Sequence, residues 1–201
     1  MMQLLAHERT YAVMRSIGFA LLILYLALSF DFSFSLSAAL MYVGISFGIS
    51  YAIAALKLAE RFPALDRRYF ASPAPMPAAR TLSTKESALL HAEYLEAGAR
   101  GEQIFATPSE DGFICVPLIV IGINAGTALA GGALFAFLHL GRFTYLECLG
   151  KGVIYSLACY YVLPHGVLTV VAGHFTNDLL GLLILKLIRR KLRRGQPREP
   201  G

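Results

Sequence analysis

His174, Asn177 and Asp178 stand at i, i+3 and i+4 in the apolar stretch VVAGHFTNDLLGLL, a spacing that puts all three on one side of a helix. Ionisable groups are costly inside a membrane, so that side must face other protein and not lipid. Phe135 and His139 share the i, i+4 relation, which lets the ring fix the helix orientation while the imidazole faces inward. Glu110 and Asp111 sit at the start of a third apolar stretch, FICVPLIVIGI. A carboxylate bonded to imidazole can polarise water as a general base. A second imidazole and an amide can donate to the oxyanion formed when that water attacks a peptide carbonyl. No covalent nucleophile is required, and no serine or cysteine is next to His139 or His174 in sequence.

The same side chains admit other readings. His139, His174 and an acid would make a three-ligand zinc site with one position left for water, although there is no HExxH. Ser109-Glu110-Asp111 could simply begin a helix, its carboxylates complementing the N-terminal dipole. His139, close to Gly141 and Arg142, could be an interfacial histidine. His165, beside Pro164, belongs at the outer interface, and Glu147 with Lys151 reads as a surface ion pair at a helix start. His174 with Asn177 and Asp178 is the hardest group to explain without function, since three polar groups deep in one helix need partners.

The elements that carry these residues are membrane helices. The chain has 201 residues, 56% of them apolar and 15% charged, and a mean hydropathy of +0.58, which describes neither a soluble domain nor a disordered chain. Three cysteines in a chain of this length do not make a disulfide framework. The formal charge of +5 does not imply a nucleic-acid partner; in a membrane chain basic residues first report which loops are cytoplasmic. Membrane lipids are the implied surroundings.

Charge-free runs cover residues 16–30, 32–56, 112–141 and 152–177, and a spanning helix needs about 20 such residues. The first, extended back through Tyr11, reads as a retained helix and not a cleaved signal, because a second span follows almost at once. The pattern predicts two N-terminal spans (11–58), then a cytoplasmic loop (59–111) containing Arg61, Arg67, Arg68, Arg80, Lys85 and Arg100. Within that loop SPAPMP is a helix-breaking linker, and Ser83 with Glu86 fits a capping box for a short helix ending by Gly98. A core (112–188) and a basic tail (189–201) containing RRKLRR complete a single membrane domain, 1–201. With the tail on the cytoplasmic side, the core must cross an even number of times. The 112–141 run therefore breaks at Ile123-Asn124-Ala125-Gly126 into two short arms, and helices follow over about 146–163 and 167–188. The expected fold class is all-α, a polytopic helix bundle of about six membrane helices or half-helices, with both termini cytoplasmic. A GxxxG match at Gly122 to Gly126 falls on the break and carries little weight.

In order, LFAFLHL, GVIYSLACYYVLPHGVL and VVAGHFTNDLLGLL resemble the core of the CAAX protease and bacteriocin-processing (CPBP) family of intramembrane glutamic proteases, over roughly Ser109 to Leu185. The family pattern is a Glu-Glu pair followed by an arginine, then Phe-x-x-x-His, then His-x-x-x-Asn or Asp. Phe135 to His139 matches the second motif and His174 to Asp178 the third, with Asn177 as a second amide candidate. The first motif departs: Glu110-Asp111 takes the acidic pair and Cys115 the place of the arginine. Glu102 is the alternative acid, with Gln103 and Thr107 at the other motif positions, and Glu96 with Arg100 keeps the acid-to-arginine spacing too far upstream. The resemblance implies a peptidase without metal or other cofactor, in which Glu110 and His139 activate water and His174 with Asn177 or Asp178 stabilises the oxyanion. Asp111 and Phe135 would support them. It also implies a peptide or protein substrate, lipidated or not, and a bacterial plasma membrane. A cysteine cannot replace arginine's charge or hydrogen-bond geometry, which keeps a second reading open: a silent relative acting in immunity, assembly, or peptide or lipid binding. A small transporter using His174 and Asp178 as a proton relay is a third.

Overall fold

The computed structural model describes residues 2–65, 103–140 and 143–194, which are helical with no strand among them. The helices are α1 (Met2–Ser29), α2 (Leu36–Ala55), α3 (Leu58–Arg61), α4 (Gln103–Ile121), α5 (Ala125–Leu138), α6 (Tyr145–Tyr161) and α7 (Val167–Arg194), with a 3-10 turn at Leu163–His165 before α7. The SPAPMP linker, the helix expected from Ser83, and the acids Glu96 and Glu102 lie outside the described residues.

The boundaries follow from local chemistry. No glycine or proline precedes Gly18, so nothing stops α1 from beginning well upstream of Tyr11. Phe30, at φ 49°, turns the chain out of α1. Asp31 then accepts from the Tyr25 hydroxyl at 2.8 Å and the Ser33 amide at 3.0 Å, and Ser35 caps α2 through the Ala38 amide. The Ser33 hydroxyl and amide hold the Asp31 carboxyl below its ordinary range. The expected break in the 112–141 run is present: Gly122 turns at φ 103°, and Asn124 and Thr127 form a reciprocal cap on α5. At the other end the helix runs further than the expected boundary near 188. RRKLRR continues α7 to Arg194, since arginine, lysine and leucine favour helix and basic groups suit a helix C-terminus.

Among the described residues, three helices are long and apolar enough to cross a membrane: Ala12–Ser29 of α1, Leu36–Ala55 of α2 and Val167–Ile184 of α7. α5 is apolar but shorter. Ile23, Leu24, Leu28, Val120, Leu129 and Val153 are exposed on the outside of the bundle, as expected where lipid is the solvent. This is a helical membrane bundle.

Helices in lipid gain no hydrophobic drive from burying one another, so close backbone approach must hold them. α1 crosses α4 where Gly18 meets the Ser109 carbonyl and Gly112 meets the Gly18 carbonyl. α5 crosses α6 where Gly132 lies against Ser156 and the Gly152 carbonyl. Gly173 of α7 lets Tyr42 and the Ala39 carbonyl of α2 approach closely. Gly122 touches nothing across a helix interface, so the GxxxG match is not a packing motif. The Glu147–Lys151 pair expected at the start of α6 does not form. Glu147 instead accepts from the Thr144 amide at 2.8 Å as part of a capping box, and the Lys151 ammonium lies 4.5 Å from the centre of the Phe143 ring.

Candidate active site

Glu110, Asp111, Phe135, His139 and His174 are buried together among α2, α4, α5, α6 and α7, with Asp178 at their edge. Glu110 and Asp111 do not begin a helix. α4 starts at Gln103, so they lie in its interior, 6% and 0% exposed. Complementing an N-terminal dipole therefore cannot account for two carboxylates held away from solvent. Pro108, one turn earlier, has no amide to donate.

Adjacent residues on a helix project about 100° apart, and the two acids accordingly meet different partners. Glu110 Oε2 is 3.9 Å from His139 Nε2. His139 is the C-cap of α5 and 7% exposed, so its ring is enclosed by protein. Its Nδ1 lies 2.8 Å from the Phe135 carbonyl oxygen; a carbonyl can only accept, so Nδ1 carries hydrogen and donates. The Phe135 ring packs 4.4 Å from the imidazole. Residue 135 thus orients His139 through backbone and ring together.

Asp111 meets His174 and Tyr155. Its Oδ1 is 3.0 Å from His174 Nδ1 and accepts from the Tyr155 hydroxyl at 2.6 Å. Its Oδ2 is buried without a hydrogen-bond partner among the described residues. His174 Nε2 is 3.8 Å from Asp178 Oδ2, which accepts from the Thr107 hydroxyl at 3.3 Å. The His174 ring stacks on Tyr42 at 5.6 Å and meets Phe135 edge-on at 5.5 Å. His174 and Asp178 are therefore brought together as the spacing expects, but Asn177, partly exposed, makes no side-chain hydrogen bond among the described residues. Positions i+3 and i+4 lie on opposite sides of residue i, about 100° apart. Once Asp178 turns to Thr107 and His174, Asn177 is carried away from that contact.

Four residues outside the expected set complete the region: Tyr155, Cys115, Tyr42 and Thr107, all 2% exposed or less. Tyr155 stacks on Phe135 with ring centroids 4.1 Å apart and an interplanar angle of 6°. The available signal was a tyrosine set in an apolar helix beside Gly152, Ser156 and Ala158, since a buried phenol needs a partner. The two imidazoles serve different carboxylates, and among the described residues no group of three His, Cys, Asp or Glu side chains is arranged to hold a metal ion. Set against known proteins, the chain matches no family model, no curated protein and no solved structure.

Proposed function

We propose that this protein is an intramembrane peptidase that hydrolyses a membrane-associated peptide or protein with a water activated by Glu110 and His139. The observation that carries the reading is the Glu110–His139 approach, 3.9 Å between two buried groups inside an apolar bundle. That separation is too long for a direct hydrogen bond, and an off-axis water can bond to both atoms. With Nδ1 committed to the Phe135 carbonyl, neutral His139 presents a lone pair on Nε2. A water donating to Nε2 and to the Glu110 carboxylate keeps its own lone pairs for a carbonyl carbon. In the attack the water oxygen bonds to that carbon and its proton passes to the Glu110–His139 pair. Collapse of the tetrahedral intermediate breaks the C–N bond, and the same proton goes to the leaving amine. His174 is the proposed donor to the oxyanion, with Asp178 and Asp111 orienting it. The similarity of the three motifs to the CPBP pattern supports the same reading. The basic loop and tail support cytoplasmic termini, and the family resemblance a bacterial plasma membrane.

The test uses the full chain in liposomes with quenched peptides, with and without a prenylated C-terminal cysteine. Cleavage that disappears in Glu110→Gln and in His139→Ala, with both variants folded, supports the assignment; cleavage unchanged in both sinks it. One observation favours a second reading: Cys115, at the family's arginine position, contacts Tyr155 and supplies no positive charge. A silent relative that binds peptide or lipid would show no cleavage in any variant and would keep its partner binding in both substitutions.

A further inference from the structure

We propose that Tyr155 is the positioning residue of this site, fixing Asp111, and through it His174, at the end of a hydrogen-bond chain that begins at Cys115. Four contacts converge on this side chain, which is fully buried. Its ring lies flat on Phe135 and edge-on to His174, with centroids 6.1 Å apart. Its hydroxyl donates to Asp111 Oδ1 at 2.6 Å and lies 3.3 Å from Cys115 Sγ.

The direction of the chain follows from counting hydrogens. A phenol has one, and it is committed to the carboxylate, which accepts. The Cys115 thiol must then be the donor to the Tyr155 oxygen. The order is Cys115 Sγ–H to Tyr155 Oη–H to Asp111 Oδ1, with His174 Nδ1 bonded to the same oxygen. Each donor polarises the next, and the chain lies where the dielectric is low. Asp111 has two donors on Oδ1 and none among the described residues on Oδ2, so removal of the phenol hydroxyl leaves His174 as its one hydrogen-bond partner among those residues. Tyr155 thereby sets how strongly Asp111 holds His174, while His139, on a separate carboxylate, is outside the chain.

The test is 15N-histidine NMR of the full-length protein in lipid nanodiscs, comparing the ring nitrogens of His174 and His139. Tyr155→Phe is expected to move the His174 Nδ1 resonance by more than a linewidth and leave His139 in place. Cys115→Ala is expected to move His174 in the same direction by less, and Cys115→Ser, which keeps an O–H donor, to restore it toward the wild-type position. Mere packing predicts the reverse order, since alanine suits an apolar site better than serine. An unmoved His174 in Tyr155→Phe, or a wild-type signal in Cys115→Ala with a displaced one in Cys115→Ser, overturns the proposal. Should Tyr155→Phe fail to fold, the two Cys115 variants decide it. Only the consequence for hydrolysis rests on the peptidase reading: if wild type cleaves, folded Tyr155→Phe is expected to lose about tenfold in kcat with KM nearly unchanged. If wild type does not cleave, that reading fails while the NMR shifts still decide the role of Tyr155.

Discussion

Glu110 and Asp111 are neighbours in sequence, yet the pairs they form differ in almost every respect. Asp111 is fully buried, 3.0 Å from its imidazole, and bonded on the same oxygen by a tyrosine. Glu110 stands 3.9 Å from its imidazole, and His139 is steered from behind by a main-chain carbonyl at the end of a helix. One helical step of about 100° sends the first acid toward α5 and the second toward α6 and α7. The contrast separates two kinds of contact. The short one, with Tyr42 stacked on the imidazole and Phe135 and Tyr155 edge-on to it, fixes geometry; the longer one leaves Glu110 Oε2 and His139 Nε2 beyond direct hydrogen-bond reach. Two consecutive acids thus meet two histidines without competing for one.

The comparison can be broken most completely at the helix crossing that holds it. Gly132→Leu places a side chain on the Gly152 carbonyl and Ser156, and a cost above about 4 kcal/mol is expected, seen as loss of folded protein on size exclusion in detergent. Asp111→Ala should come next, because it strands the Tyr155 hydroxyl and His174 Nδ1 in a dry interior; a loss of about 3–5 kcal/mol by denaturant titration is expected. If His139→Ala costs as much, the two pairs are not distinct. We expect about 1 kcal/mol there, chiefly from the bond to a main-chain acceptor and the contacts with the Phe135 and Phe143 rings. Thr107→Val removes the donor to Asp178 at 3.3 Å, and the same titration should register about 0.5 kcal/mol.

Smallest of all is an effect outside the membrane. The folded Asp31 carboxyl sits below its ordinary range because Ser33 and Tyr25 donate to it. A depressed folded pKa makes a contribution present above the unfolded carboxylate value and lost as pH falls through the folded one. Melting temperature should therefore dip slightly in that acid window for wild type. In Asp31→Asn the dip should be absent, and its persistence would show that another carboxyl is responsible.

Much of this arrangement was legible in the letters. Apolar runs located the spanning segments, and Asn124 marked the turn because its capping chemistry is local, although the positive φ falls on Gly122 and not on the Gly126 of the expected break. His174 with Asp178, and Phe135 with His139, were legible because i+4 spacing is itself a contact on a helix. What stayed hidden required knowledge of a facing helix. Asn177 and Asp178 were equally good candidates until Thr107 claimed one of them. Glu110 looked like the start of a helix because the signals for an earlier start, at Gln103, are weak beside the apolar run. Tyr155 had no motif to announce it; its partners come from α4, α5 and α7, and only assembly brings them together.

The short length of α5 has a consequence for depth. Its 14 residues rise about 21 Å at 1.5 Å each, against a hydrocarbon core of about 30 Å. The helix alone is thus about 9 Å too short to join two membrane boundaries, and tilting it can only increase the shortfall. For α5 to sit across a bilayer, the lipid has to thin there or polar protein and water have to fill the difference. Longer acyl chains would widen that shortfall, which makes membrane thickness a variable that could act on the Glu110–His139 pair at the end of α5 with no molecule docking against it.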